Sequence, residues 1–180
     1  MAPNWHPHEI AIACKAYASA TNNGIQGCDQ DLQKFNDDIV EKMRLLAPSG
    51  YLPGTYHERA HRIYKYLRDN VFGEVQKFNK SLRLVEISHP SGVTEEQKVS
   101  MAIAIHLKLT KKVDYDFKNL EKSKWRLYGA WDVLRHLPKF RFDIRDYDYE
   151  DLETENENDA IVGMMVLGSN QTTTTTSSTS

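Results

Sequence analysis

The stretch from Thr55 to Phe78 constrains the fold of this chain more than any other. Its apolar residues recur at steps of three and four, which places them on one stripe of a helix. These residues are Ala60, Ile63, Tyr64, Leu67, Val71, Val75 and Phe78. The opposite side carries Arg62 and Lys65. Thr55 and Glu58 have the spacing of a capping box, in which each side chain accepts a hydrogen bond from a backbone N–H group at the helix start. The sequence therefore predicts a long helix with a buried face and a basic face.

Two further helices are predicted before this one. Pro7 suits the first position of a helix, and the apolar residues that follow it extend to Tyr17, so a first helix is expected near residues 7–19. A second helix is expected from about Asp29 to Leu46, and Pro48-Ser49-Gly50 ends it. The three helices together form a small bundle.

Two more helices are predicted after it. Thr94 and Gln97 offer a second capping box, for a helix that reaches about Leu109. A last helix, at about 124–137, has large apolar residues at three-residue steps, and Pro138 stops it. These residues are Trp125, Tyr128, Trp131 and Leu134. Such an aromatic stripe is more typical of a protein core than of a ligand site.

The charge of the chain is divided unevenly. The formal net charge is −2, but residues 143–159 hold nine acids and one Arg, which leaves 22 Lys+Arg against 16 Asp+Glu in residues 1–142. Residues 160–180 carry no charge and end in a Thr/Ser-rich run. Neither segment has the hydrophobic pattern of a folded domain. We therefore expect a basic helical domain at 4–142, an acidic segment at 143–159 and a disordered tail at 160–180. The tail is first apolar and then rich in Thr and Ser.

The sequence offers little support for an enzyme, a metal site or a membrane protein. It contains no nucleophile elbow, P-loop, glycine-rich dinucleotide loop or HExxH motif, so we predict neither catalysis nor a cofactor. His57 and His61 have a zinc-compatible spacing that Cys14 and Cys28 could complete, but Cys14 lies on an apolar stripe, where a free cysteine is usually core. The longest apolar run, 160–168, is too short to span a bilayer. These features predict a soluble, intracellular protein.

Several short sequence segments within residues 4–142 occur in the same order as the corresponding segments of a known protein family. They are Trp5 with Glu9, Cys14-Lys15-Ala16-Tyr17, Gly27-Cys28-Asp29-Gln30, Phe35 with Ile39, Lys77-Phe78, Ser91-Gly92, Trp131-x-x-Leu134 and Leu137-Pro138-Lys139-Phe140. Together they resemble the Myb/SANT-like domain of the plant-type "no apical meristem-associated" and trihelix-like proteins. The resemblance implies an all-α fold, a three-helix bundle of helix-turn-helix type whose third helix enters the DNA major groove, with a C-terminal helical extension behind it. This chain departs from the family at Asn36, where an aromatic is usual, and at Tyr17, where a tryptophan is usual.

A DNA-reading face is predicted on the third helix. Arg62 and Lys65 are the expected donors to guanine O6 and N7, and Asp69 is the expected acceptor from cytosine N4. Phosphate contacts are expected from flanking cations. These are Arg59, His61, Arg68, Lys77, Lys80 and Arg83. The hypothesis is a nuclear protein that binds double-stranded DNA, either a transcriptional regulator or the DNA-binding accessory of a transposon. The alternative is a protein-interaction module that keeps the fold without binding DNA.

The acidic segment has alternative interpretations. Aromatic and aliphatic residues alternate with its acids, as in disordered activation segments that bind coactivators. A solubilising linker, or a segment that folds back onto the basic helix, is equally compatible with this composition. The apolar run 161–167 resembles a strand-adding motif for small protein modifiers.

Overall fold

In the computed structural model, residues 5–22, 32–47, 60–88 and 91–142 are described, and every regular element in them is helical. The α-helices are α1 (Pro7–Asn22), α2 (Leu32–Leu46), α3 (Ile63–Tyr66), α4 (Gly73–Ile87), α5 (Glu95–Lys111) and α6 (Tyr128–Leu134). A π-helical segment, Leu67–Phe72, joins α3 to α4, and short 3₁₀ turns lie at Phe117–Asn119, Lys122–Lys124 and Pro138–Phe140. The all-α prediction is therefore confirmed for these residues.

The chain forms two compact units. The first contains the described residues up to Lys77 together with Ser123–Phe142, and the second runs from Phe78 to Lys122. The predicted domain at 4–142 thus contains both units. The predicted acidic segment and tail lie outside the described residues, as do the predicted start of the second helix at Asp29 and the Thr55–Glu58 capping box.

In the first unit, α1 has a local start signal. The backbone N–H of His6 donates to Glu9 Oε2 at 2.7 Å, so Glu9, at the third helical position, satisfies a group that the helix leaves without a partner. The helix predicted near 7–19 extends to Asn22. It packs against α2 and against α6. A Cβ atom at Gly129 of α6 would lie 3.4 Å from Ala11 Cβ, at van der Waals contact, so α1 and α6 approach each other closely at these two residues.

An aromatic cluster fills the core of the first unit. Tyr17 of α1 stacks on Tyr64 of α3 with ring centroids 6.1 Å apart, and Phe35 of α2 meets Tyr64 edge-on at 5.0 Å. Phe72 lies 4.9 Å from Tyr17 and 4.8 Å from Phe140. Offset and edge-to-face ring pairs add favourable contacts beyond the area they bury. The cluster therefore joins α1, α2 and the helix that begins at Ile63.

The predicted last helix is shorter than expected. Its α-helical part spans Tyr128–Leu134, and Pro138 begins a 3₁₀ turn rather than following a helix end at residue 137. Trp125, Trp131 and Leu134 are buried. The prediction that the aromatic stripe belongs to the core is confirmed for these three residues, whereas Tyr128 is half-buried.

The π-helical segment follows from the spacing of buried residues. Ile63, Leu67, Val71 and Val75 are completely buried and stand four residues apart. A regular α-helix has 3.6 residues per turn, so a stripe built on steps of four drifts around it. The i→i+5 bonds of a π-helix place more residues in a turn and compensate for that drift. The helix predicted to end at Phe78 continues to Ile87.

The second unit contains an antiparallel helical hairpin. The ring of Phe78 meets His106 edge-on at 5.7 Å, and Lys98 Nζ lies 3.2 Å from Glu86 Oε1. Phe78 lies at the start of residues 78–87 and His106 lies near the end of α5, whereas Glu86 and Lys98 both lie near the turn between the two helices. The chain therefore reverses its direction at this turn, and α5 runs antiparallel to residues 78–87. Gly92, in the turn, has φ +72, a conformation that favours glycine.

The predicted capping box of α5 is present. Gln97 N–H donates to Thr94 Oγ1 at 3.2 Å, and Thr94 N–H donates to Gln97 Oε1 at 2.9 Å. All eight residues at positions 100–107 are buried. His106 is among them.

Candidate nucleic-acid interface

Residues 61–77 present one polar side to solvent in the first unit. His61, Arg62, Lys65, Arg68 and Lys77 are all exposed. His61 and Arg62 lie in the turn that precedes Ile63, where the helix begins, and the buried stripe occupies the other side of that helix. The structure therefore places Lys65, Arg68 and Lys77 on the exposed surface of one helix and His61 and Arg62 at its start; we call this segment, with its preceding turn, the helix at residues 61–77.

Asp69 holds two of these cations. Lys65 Nζ lies 2.6 Å from Asp69 Oδ2, and Arg68 Nε lies 3.0 Å from Asp69 Oδ1. The hydrogen bonds from Lys65 and then from Arg68 lower the pKa of the Asp69 carboxyl, so it is ionised at neutral pH. Both carboxylate oxygens thus accept bonds within the helix. Asp69 has to exchange these partners before it can accept from a cytosine.

Arg62 is the most available cation of this surface. Its side chain is exposed, and in the part of the chain that the structure describes no carboxylate lies within ion-pair distance of it. Lys77, by contrast, pairs with Glu74 at 2.7 Å. An unengaged guanidinium can offer its planar fork of donors to a base edge or a phosphate without first breaking a bond.

The start of this helix is capped from a neighbouring helix. Arg62 stands at the N-cap position but makes no side-chain capping bond. Asn36 of α2 supplies the missing bonds, because its Oδ1 accepts from Tyr64 N–H at 3.0 Å and its Nδ2 donates to Ala60 O at 3.1 Å. Asn36 itself is buried. This side chain therefore fixes the end of the helix that carries Arg62 and Lys65.

Asn36 is the residue of the site that sequence reasoning missed. In the sequence it is only a polar residue beside Phe35. A buried polar side chain in a helix normally has specific partners. The signal that could have found it is an asparagine on a helix between the apolar residues Phe35 and Ile39.

Three predicted phosphate contacts fall elsewhere. Arg59 lies outside the described residues. Lys80 is exposed but belongs to the second unit. Arg83 also lies in the second unit and is only 3% exposed. A phosphate contact needs a guanidinium at the surface, so the structure removes Arg83 from the predicted interface.

Of the residues weighed for zinc, only Cys14 and His61 lie in the described part of the chain. Cys14 is completely buried, and burial raises the pKa of its thiol above the ordinary value. This environment suits a small core residue rather than a metal ligand, which binds as the thiolate. His57 and Cys28 lie outside the described residues. The ranges that the structure describes hold no cluster of three His, Cys, Asp or Glu suited to a metal ion, and no helix in them is long and apolar enough to cross a membrane.

Comparison of the chain with protein-family models, with curated proteins and with solved structures gives no match.

Proposed function

We propose that this chain binds double-stranded DNA in the nucleus, through the exposed side of the helix at residues 61–77, as a transcriptional regulator or as the DNA-binding accessory of a transposon. The observation that carries the proposal is the exposed Arg62 at the N-cap of a helix whose stripe of Ile63, Leu67, Val71 and Val75 is completely buried. An α-helix fits the major groove, where side chains on its exposed side reach base edges. The Myb/SANT-like resemblance of the sequence points to the same helix.

The charge of this surface supports the proposal. Arg62, Lys65, Arg68 and Lys77 outnumber the two acids of the same stretch, Asp69 and Glu74. Cations that neutralise phosphates release counterions, which is the main source of sequence-independent affinity for DNA. The surface therefore combines a candidate reader with candidate phosphate contacts.

A protein-interaction module is the second candidate. Three cations of the helix are already held by acids of the same helix, namely Lys65, Arg68 and Lys77. Ion pairs of this kind lower the charge available to phosphates and give a surface of mixed sign, as at the rim of a protein–protein interface. The two candidates share the fold and differ in the partner.

Selection of randomised duplexes by the purified full chain tests the proposal. One enriched motif supports DNA binding. The proposal is contradicted if no sequence is enriched and duplexes are retained only at a background level that does not depend on salt. The protein-interaction module is then the remaining candidate.

The role of Arg62 is tested on the enriched duplex. If Arg62 contacts the edge of a guanine, Arg62→Ala is expected to cost about 1–3 kcal/mol of binding free energy and to relax the base preference at one position of the duplex. Lys77→Ala weakens binding to all sequences alike and reduces the salt slope by about one unit. Arg44→Ala is a matched control, because Arg44 is an exposed arginine on α2 outside this surface. Equal losses on every sequence from Arg62→Ala and Lys77→Ala would show that Arg62 contacts only phosphate.

A further inference from the structure

A second group of cations lies at the C-terminal end of the first unit. Arg135, His136, Lys139 and Arg141 are exposed. The acid in this stretch, Asp132, lies 3.0 Å from Arg135. None of these residues is among the DNA contacts predicted from the sequence.

Two aromatic rings hold Lys139 in place. Its Nζ lies 5.3 Å from the ring centroid of Phe72 and 5.6 Å from that of Phe140. The two rings lie 4.8 Å apart, and Phe140 is completely buried. An ammonium over an aromatic face is attracted by the ring quadrupole. Lys139 therefore keeps an exposed charge on an ordered stem, whereas a lysine on an open surface loses rotamer freedom when it binds.

The position of Phe72 places Lys139 beside the proposed DNA surface. Phe72 follows Arg68 by four residues and precedes Gln76 by four, and residues at this spacing are neighbours on one side of a helix. Arg68 and Gln76 are both exposed. The Lys139 ammonium thus lies at the edge of the surface that carries Arg68.

We propose that Lys139 is a phosphate contact that extends the DNA surface of the helix at residues 61–77 onto the Pro138–Phe140 turn. The inference rests on the proposed function and adds a second, separate element of the chain to it. Phosphate is the fitting partner because a lysine ammonium is a compact point charge without the planar fork that reads a base edge. Its location at the flank of the helix also matches the place of the DNA backbone when the helix lies in the groove.

The test is a salt series with the full chain and two duplexes of unrelated sequence. Lys139→Gln removes the charge and keeps a side chain of similar shape. It is therefore expected to weaken binding to both duplexes equally and to make the slope of log binding constant against log salt concentration less steep by about 0.9. Lys139→Arg, which keeps the charge, is expected to retain the wild-type slope. Lys34→Gln is the matched control, because Lys34 is an exposed lysine on α2 outside the proposed surface. Thermal melting verifies that each variant is folded.

The outcomes separate the inference from the proposed function. A wild-type slope in Lys139→Gln, with a reduced slope in Lys77→Ala, overturns the role of Lys139 and leaves DNA binding intact. An equal reduction in Lys34→Gln and Lys139→Gln also overturns it, since the effect is then one of net charge. If the wild-type chain binds neither duplex at low salt, both the proposed function and the inference fail.

Discussion

Replacement of Asn36 by alanine is expected to cost more stability than any other single polar truncation on α2. Its side chain makes two hydrogen bonds to a segment 24 to 28 residues away. Ala60 is 1% exposed, so its carbonyl has no route to water when the donor is removed. An unsatisfied buried group costs about 1–3 kcal/mol. Tyr64 is half-buried, and its N–H loses a bond with a net value of about 0.5–1.5 kcal/mol.

Together these terms predict a loss of about 1.5–4.5 kcal/mol for Asn36→Ala. For a chain of 180 residues this corresponds to a fall in Tm of about 3–18 °C. Circular dichroism of the full chain during thermal and urea denaturation measures both quantities. Gln33→Ala is the matched control, because Gln33 is exposed on the same helix and its amide bonds Asp37 at 2.9 Å. A surface change of this kind is expected to stay within about 0.5 kcal/mol.

A second variant separates capping from packing. Asn36→Asp keeps an acceptor for Tyr64 N–H but replaces the donor to Ala60 with a carboxylate oxygen. It buries a charge against a carbonyl, so we expect it to be at least as destabilising as Asn36→Ala. A native Tm in either Asn36 variant, or an equal loss in Gln33→Ala, would refute the assignment of Asn36 as the cap of this helix.

The remaining predictions concern the core and the charged surface. Trp131→Ala should cost about 3–5 kcal/mol in urea denaturation; unchanged stability with lost binding would make Trp131 a site instead. Cys14 in the native chain should react slowly with iodoacetamide at pH 8 and rapidly in denaturant, because burial raises its thiol pKa; peptide mass spectrometry measures both rates, and equal rates would contradict burial. Asp69→Asn should tighten binding to duplexes of unrelated sequence at low salt, since it releases Lys65 and Arg68. Loss of base preference at one position of the duplex would instead indicate that Asp69 contacts a base. Deletion of Asn70 should preserve the fold by turning the π-helical segment into α-helix, whereas deletion of Lys80 from α4 should unfold the chain, with circular dichroism as the readout.

The helices that sequence predicted best are those with local signals. Thr94 and Gln97 are three residues apart, and their reciprocal bonds depend only on each other and on the helix start. The same holds for α1, whose Pro7 and Glu9 lie in its first turn. Features of this kind are visible in the sequence because the interacting groups are neighbours in it.

The parts that sequence did not predict depend on tertiary packing. Arg83 has the charge of a phosphate contact, but it is buried, and no local pattern distinguishes it from the exposed Lys80. Asn36 has the composition of a surface residue, and its role appears only when α2 packs against residues 60–64. In both cases burial decides the role of a polar side chain, and burial is set by distant parts of the chain.

The π-helical segment connects the packing of the helix to its exposed surface. Steps of four keep Ile63, Leu67, Val71 and Val75 in line against the core. The same geometry keeps the exposed positions Lys65, Asp69 and Gly73, also four apart, in line on the other side. Within the described residues, and apart from the adjoining residues and backbone of its own helix, no atom lies within 4 Å of where a Gly73 Cβ would be, so this position leaves open space along that line. A regular α-helix would turn successive positions of this set away from one another, and a groove-binding helix would then lose part of its contact. The segment thus serves the core and the proposed DNA surface through one change in helical geometry.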